Sequence, residues 1–198
     1  MANIKYILTS EQLQKIKLKD LKCLGNITPN EYNRMLLKRI NRSELKIETH
    51  HTGGLPLNFI KQSEKVTVED SSFLLILICN PYPYEKKYKP SGLVFDDLSY
   101  LQFKEVLFYD YREKELYTLE YSYHYGIWDF EENRETYYFR YDRDILLKNP
   151  PKKKIEHFHV QYDKPHFNSC FIRFEDTIQF IEDNWDYQED CFELDISL

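Results

Sequence analysis

The sequence predicts an α+β protein in which an antiparallel, tyrosine-rich β-sheet carries N-terminal helices and a C-terminal helix. Of its 198 residues, 16% are aromatic, with 17 Tyr and 13 Phe, and such rings favour the half-buried surface of a pleated sheet. From Lys104 onward, several segments alternate side chains with period two and are separated by short polar turns, as antiparallel strands are. Two helix-start signals lie in the first forty residues.

Two capping patterns define the predicted N-terminal helices. Thr9-Ser10-Glu11-Gln12 has the Thr-x-x-Gln spacing of a capping box, and the helix that it opens is expected to end at Gly25. Thr28-Pro29-Asn30-Glu31 places a cap, a first-turn proline and a reciprocal glutamate together, which predicts a second helix to about Asn41. Its buried side is expected to carry Tyr32, Met35, Leu36 and Ile40.

The sheet is predicted from one apolar run and a series of alternating segments. Phe73–Cys79 is continuously apolar and fits a strand covered on both faces, although a buried helix end has the same pattern. The other predicted strands are Lys104–Tyr111, Leu116–Ile127, Thr136–Asp142 and His157–Tyr162, with Cys170–Phe174 as an extension and Asp176–Trp185 as a closing helix. We assign residues 1–65 to a helical N-terminal region and residues 66–198 to the sheet domain.

Charge and cysteine usage narrow the class of protein. The formal net charge is −6, which argues against a general electrostatic affinity for nucleic acid. The segment Glu175–Leu198 holds nine acidic residues and no Lys or Arg, so it can pair with the basic N-terminal segment or with a separate basic partner, or it is only a solvated face. The four cysteines form no CxxC pair, and no apolar run is long enough to span a bilayer. We therefore expect a cytoplasmic protein without a membrane segment.

Strand alternation predicts that four basic side chains share one surface. A turn near Glu132 sets His124 opposite Arg140. His157 and His159 share a face of the predicted strand His157–Tyr162. They join this surface if that strand pairs beside Thr136–Asp142. One imidazole can take a proton from a ribose hydroxyl while another donates one to the leaving oxygen, and arginine can hold the phosphate. The alternative is that these residues are only the solvated face of an antiparallel sheet.

Further residues near this surface are candidates for contacts with a nucleic acid or for metal ligands. Lys152, Lys153 and Lys154 supply a local basic segment, and Tyr138 offers a ring for stacking on a base. His157-Phe158-His159, followed by Asp163 and His166, also suits zinc or another transition metal. A single His-x-His pair is weak evidence, and we predict no metal and no cofactor.

The order of motifs in the second half resembles the TumE-like family, small toxin-like proteins of two-gene toxin–antitoxin modules. The resemblance rests on Tyr121–Tyr125 (YSYHY), Phe139–Asp142 (FRYD), a proline-containing loop and His157–Val160 (HFHV), and it covers about residues 100–185. It implies a toxin role, RNA as a target and a cognate antitoxin as partner. Two differences from the family are an N-terminal region without a counterpart and lysines at 148–154 in place of a histidine-rich stretch.

Two functional hypotheses follow. The first is a toxin or defence protein that acts as a metal-independent ribonuclease through His124, Arg140, His157 and His159. The second is a non-catalytic acidic interaction protein, such as a defence-related or phage-encoded inhibitor, that occupies a basic groove by charge complementarity.

Overall fold

The computed structural model describes residues 8–43, 58–80, 92–97, 99–129, 131–132, 134–145, 155–161 and 166–184. The helices are α1 (Ser10–Lys15), α2 (Pro29–Arg42) and α3 (Phe174–Asp183), with a short 3₁₀ turn at Leu18–Asp20. The strands are β1 (Lys22–Gly25), β2 (Ile60–Val68), β3 (Ser71–Asn80), β4 (Leu93–Val94), β5 (Ser99–Asp110), β6 (Glu115–Asp129), β7 (Arg134–Arg143), β8 (Glu156–Val160) and β9 (Phe167–Asn168).

The described strands form one antiparallel sheet, which confirms the predicted α+β class. Its main order is β2-β3-β5-β6-β7-β8-β9, with β1 paired to β6 and β4 paired to β5. The long β5–β6 and β6–β7 hairpins fix the register of the centre of the sheet. No helix in the described part of the chain is long and apolar enough to cross a bilayer.

One face of the sheet is closed by α2 and α3. Tyr121, Tyr123 and Tyr125 of β6 are buried there with Phe139 of β7 and Phe174 of α3. The two helices are joined by an ion pair between Arg39 and Glu182. These three tyrosines of β6 are therefore part of a core, and their rings are not available to stack on bases.

The opposite face is divided. Over β3 and β5 it is covered by the N-terminal segment, in a second core of apolar side chains that includes Ile16, Leu21, Phe73, Leu75 and Phe108. Beside this core, over β6 to β8, the same face carries polar side chains. The apolar run of β3 is thus covered on both sides, as its sequence predicted.

Helix α2 confirms its predicted start and corrects its predicted buried side. Thr28 accepts a hydrogen bond from the Glu31 amide, and Glu31 accepts one from the Thr28 amide. Tyr32, Leu36 and Ile40 are buried, but Met35 is 46% exposed. Asn33 is buried instead, and its Oδ1 accepts a hydrogen bond from the Phe59 amide at 2.8 Å, whereas a methionine sulfur is only a weak acceptor.

Two other sequence predictions need correction, and one strand was missed. The first helix ends at Lys15, and part of the stretch predicted to continue it forms β1, because Lys22–Gly25 pairs with β6. Cys170–Phe174 is not a strand, and the last pairing is made by β9 at Phe167–Asn168. The sequence did not predict β2, which begins at Ile60, inside the segment that we assigned to the helical region.

Candidate functional site

The pairing of β6, β7 and β8 brings the four predicted basic residues onto one face. His124 is paired with Arg140, Arg140 with His159, and Asp142 with His157. We call this surface the histidine face and define it by ten residues: Tyr100, Lys104, Ser122, His124, Glu135, Tyr138, Arg140, Asp142, His157 and His159. The predicted convergence in the sheet is therefore present, whereas the catalytic roles of these residues stay predictions.

The accessible end of the histidine face is built around His124. Its Nε2 lies 2.6 Å from Glu135 Oε1 and 3.2 Å from the Tyr100 hydroxyl. Tyr100 also donates a hydrogen bond to Glu135. Burial and the Glu135 carboxylate raise the pKa of the Tyr100 phenol, so this hydroxyl stays protonated as a donor. A carboxylate that binds one ring nitrogen orients an imidazole and leaves the other nitrogen for proton transfer.

Two rings and a glycine hold this arrangement in place. The His124 ring lies between Tyr138, with centroids 5.1 Å apart, and Tyr100, at 5.8 Å. Gly126 lies between Tyr100 and Tyr138 in the pairing of the strands. A Cβ at this position would come within 2.2 Å of Glu135 Oε1. The absence of a side chain at Gly126 therefore lets the carboxylate reach His124.

The middle of the histidine face is an arginine–aspartate pair. Arg140 Nε donates to Asp142 Oδ2 at 2.8 Å, and the Arg140 side chain is 28% exposed. Arg140 NH2 lies 3.2 Å from His159 Nε2. The guanidinium thus joins the accessible end to the buried end, and it is partly exposed to solvent.

His157 and His159 form the buried end. They are only 3% and 1% exposed, and their rings contact each other and His166. A side chain at this depth does not meet a ribose directly. The structure therefore brings the two histidines to the predicted face but buries them beneath its surface.

Of the residues predicted to contact nucleic acid, the structure describes only Tyr138. Lys152, Lys153 and Lys154 lie outside the described residues. Tyr138 is half-buried and packs on His124, so one side of its ring is already occupied.

Sequence reasoning missed four residues of this site: Tyr100, Lys104, Gly126 and Glu135. A glycine inside a strand often marks the close approach of another group, and that signal at Gly126 was available. Lys104 is exposed and lines a pocket of about 200 Å³ together with Ser122 and Asp142. It adds a positive charge to the row of paired residues Lys104, Ser122 and Asp142, and alternation within β5 alone did not connect it to the histidines.

Comparison with known proteins gives one family match. A family model described as Toxin TumE matches residues 62–190, which is well over half of the chain. The match includes β2 and β3, so it begins earlier than the motifs that carried the resemblance. No curated protein and no solved structure matches the chain significantly.

Proposed function

Because the chain belongs to the TumE toxin family, it is a toxin of a toxin–antitoxin module, and we propose that it acts by cleaving RNA on the histidine face. Family membership also implies an antitoxin as partner. The observation that carries the proposed activity is the contact of His124 with Glu135. His124 is also the residue of β6 that is paired with Arg140 of β7. These side chains combine an oriented imidazole with a partly exposed guanidinium.

In this proposal His124 is the general base. It removes the proton from a ribose 2′-hydroxyl, the oxygen attacks phosphorus, and the 5′-oxygen leaves and takes a proton from solvent. The products are a 2′,3′-cyclic phosphate and a 5′-hydroxyl end. Glu135 and Tyr100 hold the imidazole, and a positioned general base contributes typically about 10²–10⁴ in rate.

Arg140 is proposed to hold the scissile phosphate. Its planar guanidinium can donate two parallel hydrogen bonds to phosphate oxygens, which an ammonium group cannot do. Asp142 fixes the guanidinium through the 2.8 Å contact to Nε. Lys104, on the same face, is a second candidate for a phosphate contact.

The roles proposed for His157 and His159 differ from those that the sequence suggested. Since both rings are buried, we propose that they act as positioning residues and not as proton donors to RNA. His159 contacts Arg140, and His157 Nε2 lies 3.7 Å from Asp142 Oδ2. Lys152, Lys153 and Lys154 are proposed to extend the phosphate contacts along the RNA backbone, and Tyr138 to support His124.

The test compares RNA with its 2′-deoxy analogue. Purified wild-type protein should cleave the RNA oligonucleotide, leave a 2′,3′-cyclic phosphate, and spare a substrate with 2′-deoxyribose at the cleavage site. His124→Gln should lower the rate by about 10²–10⁴, and Arg140→Lys should also lower it. Arg112→Gln is the matched control, because this arginine is 92% exposed in the β5–β6 turn; it should retain full activity.

The same variants separate the two functional hypotheses. Expression of the wild-type chain should slow growth, and His124→Gln should relieve this effect while circular dichroism shows a folded protein. Undiminished toxicity of folded His124→Gln would reject the nuclease mechanism and leave the interaction-protein hypothesis. The acidic segment Glu175–Leu198 would then be the surface to vary.

A further inference from the structure

The buried end of the histidine face contains a third imidazole that strand alternation does not supply. His166 lies immediately before β9, and β9 pairs back onto β8 with Asn168 beside His157. This return brings the His166 ring to 4.3 Å from the His159 ring and 5.0 Å from the His157 ring, measured between centroids. One ring nitrogen from each residue lies within 4.8 Å of the others. We call these three residues the histidine cluster.

We propose that the histidine cluster binds a divalent transition metal ion of the zinc type. Three imidazole ligands with a fourth position left for another ligand are a common arrangement for zinc, and imidazole also suits cobalt, nickel and copper. Magnesium and calcium are excluded because they prefer oxygen ligands. This inference goes beyond the proposed nuclease activity and does not depend on it.

The hydrogen bonding of His157 supports a ligand role. Its Nδ1 lies 3.3 Å from the carbonyl oxygen of Ile155. Donation to a backbone carbonyl fixes the tautomer, so that the lone pair is on Nε2, and metal-binding histidines usually have such a partner on the other nitrogen. Near-complete burial of His157 and His159 also limits the rotamers that they can adopt.

The neighbouring carboxylate lies where a cation would need it. Asp142 Oδ2 is 3.2 Å from His159 Nε2 and 3.7 Å from His157 Nε2. Ligand bonds of 2.0–2.1 Å in a tetrahedral site place adjacent ligand atoms ~3.3 Å apart. The Asp142 oxygen therefore lies at about ligand spacing from two of the three imidazoles, and its charge offsets that of a bound cation.

Arg140 is the unfavourable neighbour. Its NH2 lies 3.2 Å from His159 Nε2, and its positive charge opposes a cation at the histidine cluster. Replacement by neutral glutamine should therefore tighten metal binding, while the same change removes the proposed phosphate contact. Metal affinity and nuclease activity are thus expected to move in opposite directions in Arg140→Gln, so failure of either proposal can be distinguished from failure of the other.

This proposal replaces the sequence-based prediction that no metal binds at His157-Phe158-His159. The sequence offered a His-x-His pair, and such a pair alone is weak evidence. The observation that alters the argument is the return of the chain at β9, which adds a third imidazole to the other two. Asp163, the other candidate ligand in the sequence, lies outside the described residues.

The experiment uses an untagged full-length chain from which competing ligands have been removed. His50 and His51 are adjacent in sequence and are replaced by glutamine, and Cys23, Cys170 and Cys191 are replaced by serine. Zn²⁺ is titrated against a chelating dye, and the bound metal is counted by elemental analysis. Co²⁺ is titrated separately, because its visible d–d absorption reports four- or five-coordinate nitrogen ligation. One equivalent of each ion is expected to bind.

His166→Asn is the deciding variant, since His166 is the least buried member of the cluster. It should weaken Zn²⁺ binding at least ~100-fold and abolish the Co²⁺ absorption. His124→Gln is the matched control on the same face and should bind as the background protein does. Failure of the folded background protein to bind, unchanged binding in His166→Asn, or loss of binding in His124→Gln would each overturn the proposal.

Thermal unfolding shows whether each variant is folded and whether Zn²⁺ stabilises it. A metal that binds only the folded state raises the midpoint of unfolding, so Zn²⁺ should raise it in the background protein and in Arg140→Gln. If His166→Asn is unfolded, Arg140→Gln decides: tighter Zn²⁺ binding supports the site, and unchanged or weaker binding rejects it.

Discussion

Two glutamates of the same sheet accept hydrogen bonds from tyrosine hydroxyls, but they lie on opposite faces. Glu105 of β5 accepts from Tyr32 at 3.0 Å and from Tyr123 at 2.7 Å, beneath α2, and is 1% exposed. Glu135 accepts from Tyr100 and contacts His124, and its side chain is 21% exposed. The comparison teaches that similar donors support different roles: the sealed carboxylate stabilises the fold, and the accessible one orients an imidazole.

Burial changes the pKa of the sealed carboxylate, Glu105, more than its hydrogen bonds do. Desolvation raises the pKa of Glu105 from 4.5 to about 7, although the two tyrosine hydroxyls lower it. Its second oxygen, Oε2, has no hydrogen-bond partner among the described residues, which agrees with a carboxyl group that ionises reluctantly. Changes at Glu105 should therefore appear in the free energy of unfolding, and changes at Glu135 in activity.

The largest expected effect is on activity. Glu135→Gln should lower RNA cleavage by about 10²–10⁴, because His124 loses the carboxylate that orients it. Its free energy of unfolding should change by less than ~1 kcal/mol, since the site is partly open. Glu113→Gln, an exposed change in the β5–β6 turn, is the matched control and should cleave normally. An equal loss of activity in folded Glu105→Gln would remove the distinction between the two faces.

The second effect is a pH dependence of stability. Between pH 4.5 and pH 7 the unfolded chain loses the Glu105 proton while the folded chain keeps it. The contribution of Glu105 to the free energy of unfolding therefore falls as pH rises through this window, by about 3 kcal/mol in total. Glu105→Gln cannot ionise and should lose this dependence.

Urea unfolding at pH 5 and pH 7.5 measures this effect. The difference between the two pH values should be smaller in Glu105→Gln than in the wild type, whereas Glu113→Gln should retain the wild-type difference. If Glu105→Gln retains it as well, the sealed carboxylate does not titrate in this range, and its proposed structural role needs another basis.

A third, smaller effect tests the geometry of the accessible carboxylate. In Gly126→Ala the new Cβ would lie 2.2 Å from Glu135 Oε1 and 3.1 Å from the Tyr100 hydroxyl. The end of a glutamate side chain can turn away at little cost, so the fold should persist while the contact with His124 is lost. We expect cleavage to fall by up to about 10²-fold, with a normal near-ultraviolet dichroism spectrum. Wild-type activity would show that Glu135 does not orient His124.

The sequence was sufficient to predict those features of the histidine face that depend on strand alternation. The pairing of His124 with Arg140 and of Arg140 with His159 follows from period two and short turns. Glu135 could not be predicted, because the register of β6 and β7 shifts between Ile127 and Trp128. Burial of His157 and His159 was also hidden, since it depends on tertiary packing, including the contacts with His166, and not on the strand itself.

The N-terminal region shows the same limit. The capping box at Thr28 depends on four consecutive residues, and the start of α2 was predicted correctly. The end of α1 was not, because Lys22–Gly25 gains hydrogen bonds from β6, which lies about ninety residues later in the chain. A local signal is reliable where local hydrogen bonds decide the conformation, and it fails where a distant strand offers a better partner.

The smallest effect concerns the cap of the helix that seals Glu105. Thr28→Ala removes the side-chain acceptor for the Glu31 amide and should lower the free energy of unfolding by about 1 kcal/mol. The Thr28 hydroxyl and amide also lower the pKa of Glu31 by hydrogen bonding, so the loss should become smaller as the pH falls and Glu31 becomes protonated. Because α2 carries Tyr32 to Glu105 and does not reach the histidine face, RNA cleavage should be unchanged. Reduced cleavage in a folded Thr28→Ala protein would mean that the two faces are coupled through the sheet.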